Sequence, residues 1–304
     1  MFKLPNTPSP QADTRELADF AELLCWLRGS TSAREIVACL GRVDDNDSNV
    51  GCTDDDDENA ETLDEVMNEI ERRATACGSG YPFRLEMAGS VLRLIDDAQD
   101  VSPSIIYLYL LLSTRLNMKD NRVHAELDGT KLMELLSAHA LKNYLGTTRA
   151  KTVVFGTALA DTFENKVNGL CSELGEGSGF RNLDGTLTQA NDDKLDTVGW
   201  IPFSDRLPGQ LIVFGQCKTG SNWRDTTTQL QPETFIKRWM QVPILVNPIR
   251  MFFIAEASDR ARWKGDNVSA GILFDRCRLV DWCDGMKTDD IKKWTLAAKM
   301  TLKL

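Results

Sequence analysis

This sequence of 304 residues has few of the side chains that metal clusters and disulfide frameworks need. It contains two histidines and eight cysteines. The cysteines are scattered along the chain, and none of them forms a CxxC pair. Such usage is typical of reduced thiols in a cytoplasmic protein, and it disfavours both a disulfide scaffold and a zinc site.

Long apolar runs are missing as well. The longest wholly apolar stretch, residues 105–112, has eight residues, far below the roughly 20 that a membrane-spanning helix requires. Residues 1–20 contain proline and acidic side chains where a signal peptide has an apolar segment. We therefore expect a cytoplasmic protein that does not cross a membrane, with one large domain or two ordinary ones.

The net charge of −10 disfavours a polyanionic partner at first sight, but this charge is unevenly distributed. Residues 1–145 contain 14 Lys and Arg against 26 Asp and Glu, whereas residues 146–304 contain 21 against 19. Residues 44–69 alone carry twelve acidic side chains and no basic one. We predict an acidic helical module over residues 1–125, with a disordered loop at about 44–60. Two roles stay open for this loop, that of a solvated connection and that of a DNA-mimicking or autoinhibitory arm.

The spacing of apolar residues predicts helices along the first half and a mixture of helices and strands afterwards. Helices are predicted over residues 14–27, 32–40, 62–76, 84–98, 102–116, 130–145, 157–174 and 232–240. Strands are predicted over residues 195–201, 211–218, 250–257 and 271–280. Mixed strands and helices indicate an α/β or α+β domain over residues 126–304.

The two central predicted strands carry the residues that indicate chemistry. A hairpin centred near Arg206 places Asp196 opposite Gln216, and strand alternation puts Gln216 and Lys218 on one face. Burying these polar groups is costly unless they bind something. A carboxylate and an amide oxygen suit Mg²⁺ or Mn²⁺, with the backbone carbonyl of Cys217 as a further ligand. Lys218 would then activate a water for attack on phosphorus.

These residues resemble a known nuclease motif. Asp196, followed after nineteen residues by Gln216-Cys217-Lys218, resembles the D…(E/Q)xK core of the PD-(D/E)xK nuclease superfamily, and in particular its Mrr-like restriction endonucleases. The segment Phe163-Glu164-x-x-Val167 is similar to the FExxV helix of that branch. The resemblance covers about residues 130–280.

The resemblance implies an α/β fold with a restriction-endonuclease-like core, in which helices flank a mixed central sheet, after an N-terminal all-helical module. It also implies that Glu164 reaches the metal site from its helix. This chain departs from the pattern at Asp193-Lys194, which stand where the branch has Gly-Gly, and at Gln216, which carries no charge.

Basic residues flank the predicted site in the sequence. A cleft that holds a nucleic-acid duplex needs such residues for contacts with phosphates. The candidates for DNA binding are Arg181, Lys194, Arg224, Arg260, Arg262 and Lys264.

We therefore expect a metal-dependent endonuclease that cuts DNA, with a role in bacterial host defence by analogy with restriction enzymes. Cutting both strands with one site per chain requires a homodimer or a higher oligomer. The acidic module is expected to serve recognition, regulation or a partner protein such as an ATPase. Two alternatives remain: a non-catalytic nucleic-acid-binding or scaffold subunit on a degenerate nuclease fold, and a nuclease that acts on RNA.

Overall fold

The computed structural model of the chain describes residues 1–9, 11–39, 54–183, 185 and 193–302. The first part of the predicted acidic loop, residues 44–53, lies outside the described residues. The backbone of residues 54–60 is helical, so the prediction of a disordered loop is wrong for that part. The helices are α1 (Thr14–Arg28), α2 (Ala33–Cys39), α3 (Asp54–Cys77), α4 (Ser102–Arg115), α5 (Gly129–Leu145), α6 (Phe163–Leu174), α7 (Pro232–Trp239), α8 (Trp263–Ala270), α9 (Arg276–Asp281) and α10 (Asp289–Lys299).

Ten strands form three sheets in the described part of the chain. They are β1 (Ser30–Ser32), β2 (Phe83–Glu86), β3 (Val91–Leu94), β4 (Val123–His124), β5 (Leu127–Asp128), β6 (Lys151–Val154), β7 (Thr197–Ile201), β8 (Leu211–Lys218), β9 (Ile249–Ile254) and β10 (Ile272–Phe274). The smaller sheets have the orders β1-β3-β2 and β4-β5.

The N-terminal part is not all-helical as predicted, because residues 83–94 form a hairpin where a helix over 84–98 was predicted. Phe83 pairs with Leu94 and Glu86 with Val91 across β2 and β3. The turn between them contains Met87 and Gly89, whose φ angles are 51° and 89°. Two positive φ angles cannot be part of a right-handed helix, so the chain reverses here.

The third sheet has five strands in the order β10-β9-β8-β7-β6. Strand β7 pairs antiparallel with both of its neighbours, β6 and β8, whereas β8, β9 and β10 run parallel. Helix α5 packs on one face of this sheet, and α6 and α7 share a second core with its other face. This mixed sheet flanked by helices has the architecture that the sequence predicted in its coarse form.

Two predicted elements change their boundaries for local reasons. The predicted strand over 271–280 is a strand only as far as Phe274, because Asp275 caps α9 by accepting a hydrogen bond from the Arg278 N–H. The predicted helix over 157–174 begins at Phe163, where the Thr162 side chain caps it. In both cases a short polar side chain fixes the start of the helix.

One hydrophobic core contains residues from both sides of the predicted domain boundary at residue 125. Leu17 of α1 and Leu108 of α4 belong to the same buried cluster as Phe253 of β9 and Trp294 of α10. The division into residues 1–125 and 126–304 stays a prediction, and the packing is continuous across it. None of the helices in the described residues is both long enough and apolar enough to span a membrane.

Candidate functional site

The hairpin of β7 and β8 has the register that the sequence predicted. Thr197 pairs with Gly215, and the next residues of the two segments toward the open end, Asp196 and Gln216, border one cleft. Lys218 is the last residue of β8 and lies two positions beyond Gln216. The alternation of apolar residues on both sides of the turn therefore determined which polar groups meet at this end of the sheet.

The position of Asp196 is fixed by hydrogen bonds with two neighbouring segments, β8 and residues 155–156. Its Oδ2 accepts from the Cys217 backbone N–H at 2.7 Å. Its backbone oxygen accepts from the N–H groups of Phe155 and Gly156 at 2.8 and 3.0 Å, and its own N–H donates to the Gly215 oxygen at 2.9 Å. Asp196 directly precedes β7, and these hydrogen bonds hold its nearly buried carboxylate in one position.

The segment that leads into Asp196 has a strained backbone. Asp193 and Lys194 have φ angles of 45° and 70°, which are in the left-handed region that favours glycine. The Trp239 Nε1–H donates to Asp193 Oδ2 at 2.5 Å and helps to hold this conformation. The two residues that stand in place of the Gly-Gly of the resembled family thus adopt a glycine-like conformation, at a cost of about 1 kcal/mol each.

Gln216 is completely buried, and neither its Oε1 nor its Nε2 has a hydrogen-bond partner among the described residues. Leaving a buried polar group unsatisfied costs about 1–3 kcal/mol. Such a cost is common at functional sites, where the missing partner is a ligand. The Gln216 amide borders the same cleft as Asp196 and Lys218, so this cleft is the place where a ligand would satisfy it.

A second carboxylate, that of Glu134 on α5, borders the cleft, and sequence analysis missed it. Its Oε1 accepts from the N–H and the hydroxyl of Thr157 at 3.1 and 2.7 Å, and its Oε2 accepts from the Ala158 N–H at 2.7 Å. A Cβ atom at Gly156 would lie 2.6 Å from Glu134 Cδ, so any other residue there would displace the Glu134 carboxylate. An acidic residue among the buried positions of an amphipathic helix was the available signal.

The structure does not place Glu164 where the sequence predicted it. Glu164 lies on the exposed side of α6, apart from the described residues that border the cleft. Helix α6 instead contributes Lys166, a buried residue whose Nζ donates to the Gly156 oxygen at 2.7 Å. The acidic residue on a helix beside the hairpin is therefore Glu134, and Lys166 supports the backbone that Glu134 contacts.

The cleft has a volume of about 270 Å³. Two carboxylates, Asp196 and Glu134, and the neutral amide of Gln216 border it together with three basic side chains, those of Arg122, Lys194 and Lys218. Acidic and basic groups at one cleft match the two needs of phosphodiester chemistry, which are a cation site and contacts for phosphate oxygens.

The donor set fits a hard cation that keeps part of its water shell. Among the described residues, no group of three His, Cys, Asp or Glu side chains is arranged to hold a metal ion by itself. Mg²⁺ is commonly bound by one or two carboxylates together with waters and substrate phosphate, which agrees with Asp196, Glu134 and the orphaned Gln216 amide. Burial and the Asp196 charge raise the pKa of the Cys217 thiol far above its usual range, so this sulfur stays protonated. The backbone carbonyl of Cys217 remains a predicted ligand.

Of the basic residues predicted to bind DNA, only Lys194 borders the cleft. Arg224 forms an ion pair with Asp266 at 2.9 Å, and Arg260 pairs with Asp275 at 3.2 Å. Their guanidinium groups also lie over the rings of Trp223 and Trp263, respectively. Both arginines are therefore engaged with carboxylates outside the cleft instead of being placed for contact with phosphate there. The other three candidates, Arg181, Arg262 and Lys264, are exposed residues outside the cleft.

Comparison with known proteins gives no relative: no family model matches the chain, and neither a curated protein nor a solved structure matches it.

Proposed function

We propose that this protein is a metal-dependent nuclease that hydrolyses phosphodiester bonds of DNA. The observation that carries the proposal is Gln216, whose buried amide has no partner among the described residues and borders a cleft with Asp196, Glu134 and Lys218. A ligand in the cleft would satisfy this buried amide, and the neighbouring carboxylates make a hard cation the best candidate.

Five residues of the cleft have distinct roles in this proposal. Asp196, Glu134 and the Gln216 oxygen hold the cation, which when bound polarises the phosphodiester and promotes ionisation of water. Lys218, at the end of β8, positions the water that attacks phosphorus. The hydrogen bond from the Cys217 N–H to Asp196 keeps the carboxylate oriented before the substrate arrives.

Cleavage of supercoiled plasmid in Mg²⁺ or Mn²⁺ tests the proposal directly. We expect the wild-type protein to nick or linearise the plasmid, and Asp196→Asn and Lys218→Met to lose at least about 100-fold in rate. Asp193→Asn is the matched control, because Asp193 also accepts a hydrogen bond but does not border the cleft. The control should cut the plasmid at the wild-type rate.

The same assay separates the other functions. Preferential cutting of RNA of the same sequence would change the substrate class and keep the site. Salt-sensitive binding of DNA without any cutting, in either metal, would overturn catalysis in favour of a non-catalytic binding subunit. Cutting that survives both Asp196→Asn and Lys218→Met would show that the assigned site is wrong.

A further inference from the structure

A short hairpin next to the cleft has a turn whose backbone conformation is unfavourable for the residues it contains. Strands β4 and β5 pair through His124 and Leu127, which leaves a two-residue turn of Ala125 and Glu126. Both turn residues have left-handed φ angles, 49° and 66°. Hairpin turns of this kind normally contain Asn or Gly, so Ala and Glu adopt it at an energetic cost.

The base of this hairpin is fixed to the C-terminal part of the chain. The Arg122 backbone oxygen accepts two hydrogen bonds at 2.8 Å, one from the Trp294 Nε1–H of α10 and one from the Gly129 N–H. The His124 ring packs edge-on against the Trp294 ring, with 5.2 Å between their centroids. The backbone of Arg122 is therefore fixed by these contacts, and its side chain borders the cleft.

The Arg122 side chain has a partner that phosphate can replace at little cost. Its Nε lies 3.2 Å from an oxygen of Asp128, and the Arg122 side chain is 54% exposed. An ion pair as exposed as this contributes at most about 1 kcal/mol. A guanidinium group binds phosphate oxygens with two parallel hydrogen bonds, which makes the exchange of carboxylate for phosphate favourable.

We infer that Arg122 binds a backbone phosphate of the nucleic acid in the cleft, and that Asp128 holds this guanidinium in place until the phosphate replaces it. Arg122 is a binding residue and takes no part in bond cleavage. The inference rests on the proposed function, because it assumes that a nucleic-acid strand occupies the cleft. It gives residues just before α5 a direct role in substrate binding.

The test measures binding without cleavage. Fluorescence anisotropy of a labelled DNA duplex is recorded in EDTA, over a range of salt concentrations, with the full chain. We expect Arg122→Gln to bind about tenfold more weakly and to reduce the slope of log K against log salt by about 0.9, the value for one phosphate contact. Arg84→Gln is the matched control, since Arg84 is 62% exposed and paired with Glu86 but lies on β2 outside the cleft. This control should bind as tightly as the wild type.

Asp128→Asn distinguishes a binding role from a structural one. Asn still caps α5 by accepting from the Thr130 N–H, as Asp128 does at 2.9 Å. Because the competing charge is removed, we expect Asp128→Asn to bind about two- to fivefold more tightly. Weaker binding in both Arg122→Gln and Asp128→Asn would overturn the inference, since breaking a structural ion pair from either side would have that effect.

Failure of the inference and failure of the proposed function give different results. If Arg122→Gln binds and cuts DNA like the wild type, the inference is wrong and the nuclease assignment stands. If the wild type binds DNA with the predicted dependence on Arg122 and Asp128 but never cuts, the inference stands and the nuclease assignment is wrong. A wild-type protein that does not bind the duplex would overturn both.

Discussion

Arg276 donates hydrogen bonds from Nη1 and Nη2 to the two carboxylate oxygens of Asp19, at 2.9 and 3.1 Å, although the two residues are 257 positions apart in the sequence. Both side chains are almost completely buried. Arg73 and Arg115 also donate to Asp19, so three guanidinium groups surround one carboxylate between α1, α3, α4 and α9. This network joins the two ends of the chain inside the common core.

Arg276→Met should destabilise the protein by about 3–5 kcal/mol, because it leaves part of a buried charge network without its partner. Urea denaturation followed by circular dichroism measures the effect. Lys292→Met is the control, since the pair of Lys292 with Asp100 is exposed and should contribute less than about 1 kcal/mol. Equal losses in the two variants would show that burial does not set the energy of the Arg276 contacts.

Glu69 makes stability depend on pH in the acid range. Burial favours its protonated form, but hydrogen bonds and charge from Arg72 and Arg73 outweigh burial and lower its pKa to about 2. A lowered carboxyl pKa gives stability that is fully present above the unfolded value of about 4.5 and is lost as the pH falls toward 2.

We therefore expect the wild type to be more stable than Glu69→Gln by up to about 3 kcal/mol at pH 7. The difference should shrink below pH 5 and nearly vanish near pH 2. Urea midpoints at pH 7, 5, 4 and 3 measure it. A difference that stays constant over this range would contradict the ionic origin of the contribution.

Glu134→Gln should lower the rate of plasmid cleavage by at least about 100-fold and raise the Mg²⁺ concentration needed for half-maximal rate. The glutamine oxygen can still accept the hydrogen bonds from Thr157, but its amide nitrogen cannot accept from the Ala158 N–H, so the change removes the charge and one hydrogen bond. Glu164→Gln serves as the matched control and should cut within about twofold of the wild type, because Glu164 is exposed outside the cleft. A larger loss in Glu164→Gln would restore the role that the sequence predicted for that residue.

Gln216→Glu places a third acidic group at the cleft and should strengthen binding of the cation. Without metal, the variant should unfold at a lower temperature than the wild type, because the new carboxylate lies buried at the cleft that Asp196 also borders. Addition of Mg²⁺ should raise its melting temperature more than that of the wild type. The control is Gln210→Glu, since Gln210 is also buried but lies at the other end of the hairpin. This variant should have a lowered melting temperature that Mg²⁺ does not raise. Equal rescue of both variants would argue against a cation site at Gln216.

Lys194→Gly should be more stable than Lys194→Ala by about 1 kcal/mol, because glycine adopts the left-handed backbone at residue 194 without steric cost. Both variants remove the side chain, so their difference isolates the backbone. At Lys142, an exposed residue in the last turn of α5, the order should reverse, since glycine has a lower helix propensity than alanine. Thermal unfolding of the four variants tests both comparisons, and the same order at the two positions would contradict the strain at 194.

The sequence by itself determined the hairpin that carries Asp196, Gln216 and Lys218. A turn-like segment between two apolar strands sets the register, and the period of two fixes which side chains face each other. These are local properties, so the register in the structure agrees with the one predicted from the sequence. The mixed architecture of the second half and most helix positions were predictable for the same reason.

Only the tertiary structure decided which helix supplies the second carboxylate and which arginine reaches the cleft. Glu134 and Arg122 border the same cleft as Asp196 because α5 packs against the sheet and the β4–β5 hairpin packs against α10 and α5, contacts that no local pattern encodes. The predicted residues Glu164 and Arg224 fit the sequence pattern equally well, but Glu164 faces solvent, and Arg224 lies outside the cleft, where it pairs with Asp266. Sequence periodicity determines which residues share one face of a helix or strand, whereas tertiary packing determines which other elements that face contacts.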